Sequence, residues 1–134
     1  MPNPGCEAEP REQMPEASII YAVDDEPRLT ELYTLLLEAT GYRVRTFNDR
    51  SQALRALTQE GKTPDLLIMD YLGHSMPVDR FITGCLGIHP SLRILMASGL
   101  SETALHSCRV KPARFIQKPF TAEEFLKEVR AALI

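Results

Sequence analysis

Residues 19–27 read IIYAVDDEP, an apolar run from Ile19 to Val23 that stops on Asp24, Asp25 and Glu26 before Pro27. A run of this kind, apolar at every position, suits a strand buried on both faces, and such strands belong to parallel sheets covered by helices. The two adjacent carboxylates are harder to explain. Two like charges about 4 Å apart repel by roughly 4 kcal/mol at an effective dielectric near 20. One aspartate can cap a helix opened by Pro27. A second at the end of a buried strand calls for another partner.

Outward from this stretch the pattern alternates. Further strands are expected at 43–47 (RVRTF), 66–69 (LLIM), 93–97 (RILMA) and 114–117 (RFIQ). Helix-period segments separate them. Leu29, Leu32, Tyr33 and Leu36 share a face before Gly41; Ala53, Leu54 and Leu57 mark a helix over about 51–60. Phe81, Ile82, Cys85 and Leu86 mark one over about 79–87, weakened by Gly84 and Gly87. A short helix is expected over about 101–108. The last is the best signalled: Thr121 and Glu124 form a T-x-x-E capping box ahead of Phe125, Leu126, Val129 and Leu133. Alternation of this kind implies right-handed crossovers, hence an α/β, doubly wound, five-stranded parallel sheet. The alternating RVRTF suits an edge strand, and IIYAV and LLIM suit central ones.

The chain has 134 residues, 44% hydrophobic and 25% charged, with a formal net charge of −3. That size supports one domain with its own core. The charge gives no case for nucleic acid or an anionic membrane surface, and no apolar stretch approaches the ~20 residues that span a bilayer. Residues 1–17 are rich in Pro and Glu and lack periodicity, so a disordered tail is expected there, with folding from Ser18 to Ile134. The cysteines are three, Cys6, Cys85 and Cys108, without C-x-x-C spacing. Cys85 and Cys108 lie among apolar neighbours and read as buried thiols in a reducing cytoplasm. His74, His89 and His106 read as solvent-exposed.

Parallel α/β sheets bind ligands beyond the carboxyl ends of their strands. At those ends stand Asp24 and Asp25, Asp70, Ser98 and Lys118, none close to another segment's contribution in sequence. Three carboxylates without histidine or thiol suit a hard cation, Mg²⁺ or Mn²⁺, rather than zinc. Lys118 suits a phosphoryl oxygen, and Ser98 can donate to another. Together they compose a site for phosphoryl transfer onto a central carboxylate.

Four segments, VDDEPRLTELYTLLLEATGYRV (23–44), PDLLIMD (64–70), ILMASG (94–99) and FIQKPFTAEEF (115–125), resemble in order the motifs of receiver domains of bacterial two-component response regulators, including the single-domain chemotaxis type. The resemblance implies a flavodoxin-like (βα)5 fold with strand order 2-1-3-4-5 over 18–134. It implies that Asp70 accepts a phosphoryl group from a phosphohistidine on a sensor histidine kinase or histidine phosphotransfer protein. Asp24, Asp25 and Asp70, with the main-chain carbonyl of Leu72, would hold Mg²⁺. Lys118 and Ser98 would contact the phosphoryl group, and Ser98 and Phe115 would form the conformational switch. Pro119 would follow a cis peptide bond. An output partner would dock where the fourth helix, fifth strand and fifth helix meet, and the resemblance is also compatible with a homodimer.

Two departures stand out. Receivers usually carry a proline four residues after the acceptor, where this chain has His74, with Pro77 later. Phe115 lacks the hydroxyl of the tyrosine often found there. Other readings are an unphosphorylated receiver-like adaptor and a phosphatase of the haloacid-dehalogenase type. The second needs an aspartate where Leu72 stands.

Overall fold

The computed structural model describes residues 18–59, 63–71, 76–99 and 114–134. Their elements are β1 (Ile19–Val23), α1 (Pro27–Ala39), β2 (Arg43–Phe47), α2 (Arg50–Gln59), β3 (Leu66–Asp70), α3 (Val78–Ile88), β4 (Ile94–Ser98), β5 (Arg114–Gln117) and α4 (Ala122–Ala132). The expected tail 1–17, the segment expected as a short helix near 101–108, Cys6, Leu72, His74, His106 and Cys108 lie outside the described residues.

All five strands are parallel, in the order β2-β1-β3-β4-β5. Because side chains alternate across a strand, each central strand feeds two cores. Ile20, Ala22, Leu66, Ile68, Leu95 and Ala97 pack with Tyr33 and Leu37 of α1 and Phe125 and Val129 of α4. Tyr21, Val23, Leu67, Met69, Ile94 and Met96 pack with Ala53 and Leu57 of α2 and Phe81, Ile82 and Cys85 of α3. Burial on both faces is why those strands read as unbroken apolar runs. β2, at one edge, buries only Phe47 fully, which explains its alternation.

Local signals account for the helix ends. Pro27 stands at the start of α1, where its missing N–H is harmless. Past its end Gly41 takes φ +102°, a left-handed conformation that suits glycine. α3 forms despite its glycines because Gly84 is an approach point: a Cβ there would lie 3.2 Å from Leu54 Cδ2 of α2. At α4 the capping box is complete. Glu124 N–H donates to Thr121 Oγ1 at 3.0 Å, and Thr121 N–H donates to Glu124 Oε1 at 2.8 Å. Thr121→Ala removes the first of these, so its urea midpoint is expected to correspond to a loss of about 1 kcal/mol. An unchanged midpoint would show that the cap contributes nothing.

His89 corrects the sequence reading. It is half-buried, with Nδ1 2.7 Å from Thr63 Oγ1 and Nε2 3.3 Å from the Leu57 carbonyl, a tie between α2 and the turns that precede β3 and β4. A lone histidine in a polar stretch gives no sign of such distant partners. Cys85 is fully buried, and burial pushes its thiol up to about 12, which leaves it inert as a nucleophile at neutral pH.

Candidate functional site

The order β2-β1-β3 places the ends of β1 and β3 side by side where the chain's winding reverses, the crevice in which such sheets bind ligands. Asp24 and Asp25 leave β1 there, Asp70 ends β3 and Ser98 ends β4. Lys118 follows β5 and turns back across the rim, its main-chain N–H bonded to the Ser98 carbonyl at 2.7 Å. The Lys118–Pro119 peptide bond is cis.

The geometry joins these residues into one cluster. Carboxylate oxygens of Asp24, Asp25 and Asp70 all lie within 4.8 Å of one another. Lys118 Nζ is 3.3 Å from Asp24 Oδ2 and 3.2 Å from Asp70 Oδ1. Asp24 is almost wholly buried, whereas Asp25, Asp70 and Lys118 are half-buried, so the cluster has a dry floor and an open mouth. The three aspartates form one acidic pocket. Three oxygen donors without nitrogen or sulfur suit a hard divalent cation, so Asp24, Asp25 and Asp70 would hold Mg²⁺.

Asp24 does not cap α1, whose N-cap is Glu26 without a side-chain cap bond; its two oxygens have other partners. Its Oδ1 accepts the Glu26 N–H at 3.0 Å, closing the turn into α1, while Oδ2 faces Lys118. Asn48 donates to the Asp24 carbonyl at 2.7 Å and fixes the backbone from the β2 side. Ser98 is fully buried at the end of β4. Phe115 is half-buried on β5, opposite Met96, against the α2/α3 core.

Burial holds the Asp24 carboxyl above its ordinary value, aided by the nearby Asp70 charge and opposed by the Glu26 N–H and Lys118. A carboxyl raised on folding stabilises the native state fully below its unfolded value, and that contribution is lost as pH rises through the native value. Ionised Asp24 is thus a net cost to the metal-free fold at neutral pH. Asp24→Asn is expected to raise the urea midpoint in excess chelator at pH 7, with the gain vanishing toward acid. Its affinity for Mg²⁺ should fall at least about tenfold. A lower midpoint at pH 7 would contradict this assignment of charge.

Three residues at the site carry roles that the sequence reading passed over. Asn48 is one. Tyr33 is another, buried from α1 and stacked on Phe125 with ring centroids 5.1 Å apart; burial, with Asp24 and Asp70 nearby, holds its phenol in the neutral form. The third is Arg50, whose guanidinium reaches the end of β3. The helix expected over about 51–60 left Arg50 outside it; in the structure Arg50 opens α2, where a cation opposes the helix dipole and so needs a partner elsewhere.

A parallel sheet with an acidic cluster and a lysine at its carboxyl rim defines the class. Residues 20–130 match the family described as the response regulator receiver domain, and the chain belongs to that family, the regulatory signalling domains of two-component systems. It is similar to the nitrogen assimilation regulatory protein NtrX of Azorhizobium caulinodans, 30% identical over 118 residues that cover 85% of this chain and 26% of that protein. It is also similar to the DNA-binding response regulator MtrA of Mycolicibacterium smegmatis, 30% identical over 118 residues, 85% of this chain and 50% of that protein. The chain thus spans half or less of these curated relatives. In fold it is similar to a CheY-like receiver domain protein from Methanospirillum hungatei, with a TM-score of 0.78 at 19% identity, covering 88% of this chain and 94% of that one. Among the described residues no helix is long and apolar enough to cross a membrane.

Proposed function

We propose that the protein is a phosphorylation-controlled switch in which Asp70 accepts a phosphoryl group from a phosphohistidine of a partner kinase or phosphotransfer protein. The observation that supports this most is the convergence of Asp24, Asp25, Asp70 and Lys118 at the crevice between β1 and β3. An Asp70 carboxylate oxygen attacks phosphorus, the P–N bond breaks, and the imidazole leaves with its electron pair and takes up a proton. Asp24, Asp25 and Asp70 would hold Mg²⁺, which would supply positive charge to the phosphoryl oxygens. Lys118 holds Asp70 in place beforehand and then pairs with a phosphoryl oxygen. Ser98 and Phe115 act as the switch: the hydroxyl is drawn to the new charge, the aromatic ring follows inward, and the surface around β5 and α4 shifts population for an output partner.

Incubation with acetyl phosphate tests the reading without a cognate kinase. Labelling is expected with Mg²⁺ and is expected to disappear when the ion is chelated. Absence of labelling at saturating Mg²⁺ would favour a constitutive adaptor instead.

A further inference from the structure

Among the described residues Arg50 is the only buried basic side chain, 5% exposed. It opens α2, where the helix dipole disfavours a cation. Its donors go to main-chain carbonyls: Nη2 to Asp70 and, at 3.0 Å, to Tyr71, and Nη1 to Met76. Its guanidinium carbon lies 5.8 Å from the centroid of the Phe81 ring. Burial disfavours its charged form and holds the guanidinium below its ordinary value, and the nearby charges of Asp70, Asp25 and Asp24 oppose that. From Asp70 to Met76 the sequence has no proline to restrict its backbone, and includes Gly73. An arginine is suited to such a place, because its planar fork can bind several carbonyls at once and keeps its charge when buried.

We propose that Arg50 is a positioning residue of the phosphorylation site: it clamps the main chain at Asp70, Tyr71 and Met76, and it is a permanent positive charge that competes with the divalent cation for the same carboxylates. This rests on the reading of Asp70 as phosphoacceptor. The clamp sets the direction in which the Asp70 carboxylate leaves its backbone. The charge, together with Lys118, relieves carboxylate repulsion before a metal binds, so that the metal-free crevice is already assembled. A fixed cation also weakens attraction for a second one, so Arg50 exchanges metal affinity for preorganisation.

Two substitutions separate fork from charge. Arg50→Lys keeps the charge and loses the fork; Arg50→Gln keeps donors and loses the charge. Mn²⁺ binding followed by electron paramagnetic resonance reads the charge, and the rate of labelling by acetyl phosphate at saturating Mg²⁺ reads the clamp. Arg50→Gln is expected to bind Mn²⁺ at least about fivefold tighter than wild type, and Arg50→Lys within about twofold of it. Labelling of Arg50→Lys is expected to slow at least about tenfold. A purely structural role would weaken binding and labelling together, so weaker or unchanged Mn²⁺ binding by Arg50→Gln overturns the charge role. Wild-type labelling of Arg50→Lys overturns the clamp; if Arg50→Gln does not fold, Arg50→Met reads the charge by the same Mn²⁺ comparison. If wild type itself takes no label, the phosphoacceptor reading fails, while the Mn²⁺ comparison still decides the charge role.

Discussion

Asp70→Asn is expected to take up no phosphoryl label from acetyl phosphate, a loss of at least about a hundredfold against wild type at saturating Mg²⁺. A carboxamide oxygen is uncharged and a poor nucleophile, and its attack does not yield the acyl phosphate that a carboxylate forms. The substitution also removes one of three anionic metal ligands, so Mg²⁺ affinity falls alongside. The fold should not suffer. Asparagine has nearly the same shape, Asp70 is half-buried, and the main-chain carbonyl that Arg50 binds is unaltered. In excess chelator the variant should equal or exceed wild type in thermal midpoint, because a like charge beside Asp24 has gone. A folded variant labelled as fast as wild type would mean that another group accepts the phosphoryl.

The largest stability effect is expected at Phe125. Its ring is fully buried between α4 and the sheet, 5.1 Å from the Tyr33 ring centroid and 5.3 Å from that of Phe120. Phe125→Ala deletes one of three mutually packed rings and leaves a cavity that the rigid strands beneath cannot close, a loss of about 3–5 kcal/mol. Domains of this size have about 5–15 kcal/mol in all, so the variant should unfold at much lower urea. The site feels the change as well. Phe120 lies two residues beyond Lys118 and is anchored on Phe125, so the segment that brings Lys118 over the crevice loses its support. Labelling should slow at temperatures where the variant is still folded. A loss below about 1 kcal/mol would show that the stack is not a principal support of this layer.

Elements whose own residues carry the cause were legible in the sequence. IIYAV and LLIM are apolar at every position because both of their faces are buried, and RVRTF alternates because β2 is an edge. Thr121 and Glu124 cap α4 by contacts three residues apart, within reach of pattern reading. The rim was legible for a different reason: topology alone places strand ends together, so Asp24, Asp25, Asp70 and Lys118 could be assembled without knowing any distance. Contacts between distant segments were not legible. Gly84 looked like a weakness because Leu54, against which it packs, lies 30 positions earlier and on another helix. His89 looked exposed because Thr63 and Leu57 leave no mark beside it. Arg50 was not legible because carbonyl acceptors have no sequence signature and it stood one residue before the expected helix.

The most direct measurement of the central claim is the position of the phosphoryl group. After incubation with acetyl phosphate and Mg²⁺, reduction by borohydride converts an acyl phosphate on aspartate to homoserine, which peptide mass spectrometry then locates. The expected product is a single homoserine at position 70, absent when Mg²⁺ is chelated. Homoserine at position 24 or 25 instead, or none at 70 in protein that carries label, would contradict the assignment of Asp70 as the residue through which this domain is switched.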